Sequence, residues 1–575
     1  MPRANDAVQA MLQEYADLIA IRGGDAFKAR AYEKAARAVG GHPADIAGLD
    51  VKGLKEIPGV GTSVAGKIVE YLRTGHMTVV DEARDSIPAG VRELIGIPGL
   101  GPRKAMLLHR ELGISSVDQL LDAIRRERLR DLKGFGERTE ENILHGISLL
   151  RQPGADRILI SRAMEVAEQI VAELSALPGR ARCTYAGSLR RMRETIGDVD
   201  VLVASRKPDA YMEALTSMPT TTEVIAAGRK KTSVRTADGL QVDLRVLPPE
   251  SWGAGLQYFT GSKAHNIRTR ELAVHQGLKL SEYGLFDAES GERLASETEE
   301  EVYARLGLSW IPPALREDRG EIAAARRGEL PALVTERDIR GDLHTHTDLT
   351  DGLASLEDMV AAAAARGYTY FALTDHAPDL AMQRMTAEKI LAQREQVRAL
   401  DRTHHGMRLL HGTELNIGPD GGLDWPDEFL AGFDLCVASV HSHFNQSRGD
   451  LTRRLVRAAE NPYVSVIGHP TTRRIGKRPP IDADFDEVFA VCARTGTALE
   501  INAHPERLDL CDEDILRARQ YGVKFAIDSD AHATTHLPYL RYGIGTAQRG
   551  WLTKDDVINT WPLTRLRRFL RPTKG

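Results

Sequence analysis

Cysteine is scarce in this chain, long apolar runs are absent, and positive charge is not in excess. The four cysteines, Cys183, Cys436, Cys492 and Cys511, are scattered without a C-x-x-C pair. That excludes a disulfide framework and a zinc knuckle, and fits a reduced, cytoplasmic setting. No apolar run approaches bilayer-spanning length, and the N-terminus, Met1-Pro2-Arg3-Ala4-Asn5, lacks a signal-peptide core. A membrane partner is therefore not expected. A net charge of −5 excludes a histone-like polycation, so any nucleic-acid contact must rest on local basic patches and backbone amides. Apolar content of 42% and charged content of 27% suit a globular protein, and 575 residues exceed what one core supports. Several domains are expected.

What is present begins with a repeat. Ile57-Pro58-Gly59-Val60-Gly61 recurs as Ile97-Pro98-Gly99-Leu100-Gly101 and, more weakly, as Leu132-Lys133-Gly134-Phe135-Gly136. Each copy lies between helix-like segments, such as 62–72 and 102–112. Threonine or proline after the glycines suits a helix start. The glycines allow a tight turn and close approach to another chain, and their amides with the following helix make a small anion site. A plain turn between packed helices accounts for one copy, but need not repeat its glycines at spacings of 40 and 35 residues. The pattern resembles the helix-hairpin-helix motif, which implies a sequence-independent grip on DNA phosphates through Gly59, Gly61, Gly99, Gly101, Gly134 and Gly136. Lys67, just beyond the first hairpin, is open between a solvated helix lysine and a Schiff-base nucleophile.

In the middle of the chain, carboxylates sit within apolar alternation. Along Asp198-Val199-Asp200-Val201-Leu202-Val203 the two aspartates share one strand face. Along Gln241-Val242-Asp243-Leu244-Arg245-Val246, Asp243 shares its face with Gln241 and Arg245. Side by side, these strands would gather three carboxylates, the minimum for holding two divalent ions at one phosphoryl centre. Aspartate is depleted in strands, which argues against three unrelated surface residues. Gly187-Ser188 followed by Arg190 and Arg191 offers close backbone approach, a hydroxyl and cations for a triphosphate. The absence of histidine suits Mg²⁺ or Mn²⁺.

These motifs resemble a family X DNA polymerase of the nucleotidyltransferase superfamily. The resemblance also rests on Tyr258-Phe259-Thr260-Gly261-Ser262, on Asn266 and Arg270, and on the thumb-like end Leu306-Gly307-Leu308-Ser309-Trp310-Ile311-Pro312-Pro313. It implies that Asp198, Asp200 and Asp243 hold two Mg²⁺ ions, Asp243 helping to deprotonate the primer 3′-hydroxyl. It implies that Gly187, Ser188 and Arg191 meet the triphosphate and that Tyr258, Phe259 and Gly261 lie beside the incoming nucleotide. Asn266 and Arg270 match minor-groove contacts, and Lys67 falls at the family's lyase position, with Lys28 and Tyr32 at neighbouring matches. Two positions depart from the pattern. Gln241 stands where many animal members carry arginine, and Lys263 replaces an acidic residue beside the base.

The last third carries twelve of the eighteen histidines. Candidate ligands follow apolar strands: His376, beside Asp375, after 370–373, His441 after 435–440, His469 after 464–467, and Asp530 and His532 after 525–527. With His344, His346, Asp351 and Glu414 they make nine imidazole and carboxylate groups, too much buried polarity without metal if they converge on one barrel end. Imidazole-rich ligands suit Mn²⁺, Fe²⁺ or Zn²⁺. The segment resembles the PHP (polymerase and histidinol phosphatase) domain, which implies a distorted β/α barrel with up to three metals that activate water against a phosphoester. His404, His405, His443 and His504 lie outside the pattern. Arg507 is open between a phosphate contact and a salt bridge.

The expected layout is a helical, lyase-like DNA-binding unit over 1–85, helix-hairpin-helix fingers over 86–155, an α+β nucleotidyltransferase palm over 156–255, a thumb over 256–317, a charged linker over 318–340 and the PHP domain over 341–575. The whole resembles the bacterial family X DNA polymerases with an appended PHP domain. It implies a monomeric, nucleoid-associated repair enzyme that fills gapped or nicked DNA with dNTPs and trims 3′ ends as an exonuclease or phosphoesterase. Action on abasic sites, as endonuclease or lyase, would be an extension. Two alternatives are a DNA-end scaffold with an inactive palm, and a barrel that hydrolyses small phosphoesters.

Overall fold

A computed structural model of the chain describes residues 4–21, 25–42, 44–85, 91, 94–95, 97, 100, 102–130, 132, 135–136, 139–140, 143–144, 147, 157–178, 182–379, 385–403 and 406–570. The N-terminal region is helical. Helices α1 (Ala4–Ile21) and α2 (Ala26–Gly41) pack through Val8, Leu12, Tyr15 and Ala16, spaced to lie on one face of α1, against Tyr32, Ala35, Ala36 and Val39. The Tyr15 and Tyr32 rings meet edge to face at 4.7 Å. Buried Asn5 fixes the return of the chain, donating to the carbonyls of Val39, His42 and Ala44 and accepting from the Ile46 amide. A single apolar core runs from Val8 through Ile147, embracing α3 (Thr62–Thr74) and α4 (Pro102–Leu112).

A five-stranded sheet follows. Its strands are β1 (Cys183–Tyr185), β2 (Asp198–Ala204), β3 (Thr221–Ala227), β4 (Lys231–Thr236) and β5 (Gln241–Leu247), in spatial order β1-β2-β5-β4-β3. Only β2 and β5 pair in parallel. Val199, Val201, Val203, Val242, Leu244 and Val246 bury one face against α5 (Ile160–Ser175), which leaves the carboxylates on the other. Helices α6 (Trp252–Thr260) and α7 (Lys263–His275) lead into an antiparallel three-stranded sheet, β6 (Leu278–Ser281), β7 (Gly284–Asp287) and β8 (Arg293–Ala295).

The charged stretch 318–340 is packed against its neighbours. Glu321 is fully buried against His265, 2.6 Å from its Nδ1, and His265 Nε2 meets the Tyr303 hydroxyl at 2.9 Å. Arg316, also fully buried, pairs with Glu299 at 2.7 Å.

Beyond it, seven parallel strands lie in chain order: β9 (Gly341–Asp342), β10 (Tyr370–Leu373), β11 (Arg408–Asn416), β12 (Leu435–Ser439), β13 (Val466–Ile467), β14 (Ala498–Asn502) and β15 (Phe525–Asp528). A parallel bridge between Thr345 and Ala531 brings the two ends of the sheet together, so the barrel is nearly closed. Alternate residues serve two cores, as buried parallel strands require. Tyr370 and Ala372 join the set with Trp561, while Phe371 and Leu373 join the set beneath the helices. The barrel helix α8 (Leu540–Arg549) presses on the palm: a Cβ on Gly545 would lie 2.4 Å from Met192 Cε. The N-terminal helices also reach the barrel, with Thr535 Oγ1 donating to the Gly41 carbonyl at 3.2 Å.

Candidate functional site

Parallel pairing of β2 with β5 sets Asp200 directly opposite Asp243, with Asp198 opposite Gln241. Asp198 is exposed and Asp243 buried. Burial, then the charges of Asp198 and Asp243, push the Asp200 carboxyl up to about 7. Asp243 goes the other way. Although burial opposes it, hydrogen bonds from Lys231, Ser233 and Gln241 lower its pKa, with Lys231 Nζ at 2.5 Å and Gln241 Nε2 at 3.0 Å. One carboxylate therefore has a resident cation while its neighbour is short of one, which is the electrostatic condition for binding a divalent ion. Gly187 borders this group at φ +61, and a Cβ there would lie 2.7 Å from Asp200 Oδ2. Only glycine lets the backbone come so close.

The cations expected for a triphosphate are held by the protein. Arg190 forks onto Glu299 at 2.8 and 2.9 Å and donates to Thr260 Oγ1 at 2.7 Å. Arg191 donates to Glu317 at 3.0 Å and to the Thr260 carbonyl at 2.6 Å. Ser188 is half-buried in the short turn of helix Gly187–Arg190. Tyr258 and Phe259 contact edge to face at 5.1 Å, and the Arg245 guanidinium lies 4.5 Å from the Phe259 ring centre. Asn266 donates to the Tyr258 carbonyl at 2.6 Å and accepts from Gln257 at 3.0 Å, which pins the aromatic pair. Arg270 Nε bonds the Asn266 carbonyl at 3.1 Å, and Gly261 takes φ +69 beside Arg191.

In the N-terminal region all three hairpins close the same turn. The amides of Val60, Leu100 and Phe135 each reach a carbonyl three residues back, Ile57, Ile97 and Leu132, at 3.0 Å. Gly59 has φ +88, whereas Gly61 and Gly136 face open space. Gly99, Gly101 and Gly134 lie outside the described residues. Lys67 donates to Ser63 Oγ at 2.9 Å and Ser63 O at 3.2 Å, with its amine 5.9 Å from the Tyr32 ring centre.

In the barrel, all nine candidate ligands meet. Three sets bring their donor atoms within 4.8 Å of one another: His346, Asp351, His376 and His532; His344, His346 and Asp530; and His376, Glu414 and His441. His469 Nε2 joins them 3.1 Å from Glu414 Oε1. Among the described residues no such set forms in the palm. His344 Nε2 and His346 Nε2 face each other at 3.2 Å, an approach that needs a proton or a cation between them. Asp351 Oδ1 lies 3.4 and 3.3 Å from His376 Nε2 and His532 Nε2, buried without a hydrogen bond. Burial disfavours a charged His344, yet Glu500, Glu414 and Asp530 draw its pKa well above the usual range. The same conflict lifts His532 to about 9, chiefly through Asp351 against burial. This donor set fits divalent metal.

Outer partners aim the rings. His344 Nδ1 contacts Glu500 at 2.7 Å, His441 Nδ1 contacts Asn416 Oδ1 at 2.7 Å, and Asn502 donates to Asp530 at 3.0 Å. Sequence reasoning missed Glu500 and Asn502, although two polar residues inside the buried strand β14 were the available signal. Asp375 belongs to the support: its carboxylate accepts from Thr347, Thr350 and Gln393. Arg507 sits 3.8 Å from Asp530 with Nη1 buried and unbonded, and His504 is a cavity-lining residue. The cavity, of about 1660 Å³, exposes Asp351, His376, Glu414, His441, His469, Asp530 and His532, and α1, α2 and α5 form its far wall.

Comparison with known proteins agrees with this geometry. A helix-hairpin-helix domain matches residues 3–77, a SAM-like helix-hairpin-helix tandem 91–147, a DNA polymerase beta thumb 255–317 and a PHP domain 342–504. The chain is 35% identical over 565 residues to the DNA polymerase/3′-5′ exonuclease PolX of Bacillus subtilis (strain 168), covering 98% of each. DNA polymerase lambda of Rattus norvegicus is 27% identical over 328 residues, 51% of this chain and 53% of its own. A probable phosphatase of Thermoanaerobacter sp. (strain X514) is 27% identical over 245 residues, 40% of this chain and 95% of its own. With near-complete coverage at that identity, and with thumb and PHP matches in the same order, the chain belongs to the family X DNA polymerases that carry a C-terminal PHP domain.

Proposed function

We propose that the protein fills short gaps in DNA from dNTPs at the palm, with Mg²⁺ or Mn²⁺, and trims 3′ ends at the barrel, with Mn²⁺, Zn²⁺ or Fe²⁺. The observation that carries the polymerase half is the parallel register that sets Asp200 opposite Asp243 beside Asp198. Ions held there would offset charge on the attacking and leaving oxygens. The chain's own contribution is placement. Lys231, Ser233 and Gln241 keep Asp243 ionised, ready to take the primer hydroxyl proton. Arg191 and Ser188 stand at the triphosphate corner, and Asn266 steadies the Tyr258–Phe259 platform beneath the sugar. The hairpins grip DNA by backbone, which suits an enzyme that must accept any sequence.

For the barrel, cavity size favours a strand end over a small phosphoester. About 1660 Å³ exceeds the several hundred Å³ typical of small-molecule pockets. Arg507, whose Nη1 has no hydrogen-bond partner and whose Nε lies 3.8 Å from Asp530, would hold a phosphate. The phosphatase likeness of the barrel keeps free phosphoesters as the competing substrate.

The test supplies gapped duplex, dNTPs and Mn²⁺ to the wild type and to Asp198→Ala. Template-directed extension by the wild type alone is expected, and equal extension by both would overturn the palm assignment. Substituting His344 should abolish 3′ trimming while leaving extension intact.

A further inference from the structure

Arg549 belongs to the barrel, yet its guanidinium lies at the palm's triphosphate corner. Nη1 donates to Glu317 Oε1 at 2.8 Å and to the backbone carbonyl of Arg191 at 2.9 Å. Nη2 donates to Asp512 at 2.7 Å. The same Glu317 oxygen receives Arg191 Nε at 3.0 Å. Side-chain exposure is 3% for Arg549 and 13% for both Arg191 and Glu317, so solvent screens these charges little. Burial opposes ionisation of Glu317, but Arg191 and Arg549 together keep its pKa low. The contact is mechanically tight, because α8 has no room at Gly545 beside Met192, the residue after Arg191.

One carboxylate thus serves two guanidinium groups, one from each half of the protein. We propose that Arg549 is a positioning residue for nucleotide binding in the palm, dividing the hold of Glu317 on Arg191 and anchoring the Arg191 backbone so that its guanidinium can turn to a triphosphate. Without Arg549, Glu317 would hold Arg191 alone and compete harder with the incoming phosphates. The barrel would then support synthesis through a charge contact as well as housing its own chemistry. This inference rests on the proposed polymerase reading.

Steady-state single-nucleotide gap filling tests it, using the full chain as wild type, Arg549→Ala, Arg549→Lys, Glu317→Gln and the Arg549→Ala/Glu317→Gln double variant. Arg549→Ala should raise KM for dNTP by about tenfold with kcat changed by less than about threefold, as expected for a buried charge coupling. Arg549→Lys should recover part of that loss. The double variant should bind dNTP better than Arg549→Ala alone, because the competing charge is gone. Trimming by the barrel, measured on the same preparations, should stay at the wild-type rate and certify that the fold is intact. An unchanged KM in Arg549→Ala, an equal fall in kcat and kcat/KM, or simple additivity in the double variant would each overturn the proposal. If the wild type itself adds no nucleotide, the polymerase reading fails instead.

Discussion

In the palm, one aspartate is exposed, a second sits beneath it short of positive charge, and the third already has a lysine. In the barrel, nine donors pack so closely that imidazole nitrogens face each other at 3.2 Å. The two sites differ in who completes the coordination. The barrel supplies nearly every ligand from its own strand ends and fixes them with Glu500, Asn502 and Asn416. The palm supplies few, and a hard cation bound there must draw further oxygens from water and substrate phosphates. A site of the first kind is built before substrate arrives, and one of the second is completed by it.

The most severe test is to remove one donor from each site. Asp198→Ala should lower gap filling by on the order of a thousandfold, a loss of several kcal/mol of charge stabilisation, and leave trimming unchanged. Asp530→Ala should do the reverse. Primer-extension and 3′-trimming gels on both variants check this, and cross-loss of activity would break the division into two separate sites.

Acid should separate the halves next. Burial opposes ionisation of Glu299, but Arg190 and Arg316 hold its carboxyl at about 2, below the usual 4.5. A depressed carboxylate contributes stability that is present above about 4.5 and disappears as pH falls toward about 2. The shift corresponds to roughly 3 kcal/mol. Glu299→Gln should therefore remove much of the pH dependence of unfolding in that window, as followed by urea denaturation at pH 3 and pH 6. Metal retention in the barrel should fail at higher pH, where imidazoles take up protons.

Chelation is a smaller effect on the same comparison. A cage that binds metal only when folded gains about 2.7 kcal/mol at a metal concentration a hundred times its Kd. Stripping the barrel should lower its melting temperature by several degrees, with recovery on adding Mn²⁺. The palm, with no cluster of donors within 4.8 Å among the described residues, should show no comparable gain until dNTP is present. Calorimetry with and without dNTP checks this, and metal stabilisation of the Asp530→Ala variant equal to wild type would place the ions elsewhere.

Much of this contrast was legible in the residue order, for a simple reason. Period-two alternation in a half-buried strand fixes which side chains share a face, so Asp198, Asp200 and Asp243 could be grouped before their register was known. The nine barrel donors lie at or just beyond strands, where parallel topology gathers them. What could not be read depends on contacts between distant segments. Lys231 is an ordinary strand lysine until β4 sets it beside Asp243. The stretch 318–340 looks like charged spacer because composition cannot reveal that Glu321 is buried and hydrogen-bonded to His265, 56 residues earlier. Arg549 and Glu317 are 232 residues apart, and no local pattern joins them.

The finest distinction concerns protons released on metal binding. Burial and the charges of Asp198 and Asp243 push Asp200 up to about 7, so below that pH an ion entering the palm must displace a proton from it. At limiting Mg²⁺, gap filling should fall as pH drops through 7, and a tenfold increase in Mg²⁺ should move the midpoint down by about one pH unit. In the barrel, several histidines compete for protons, and His532 is held up to about 9 by Asp351 against burial. Its trimming activity should therefore depend more steeply on pH at limiting Mn²⁺, with more than one proton exchanged per ion. Paired pH profiles at two metal concentrations give both slopes from one enzyme preparation. A palm midpoint that ignores Mg²⁺ would mean that Asp200 is already ionised through some other partner, and the charge deficit assigned to that strand would be wrong.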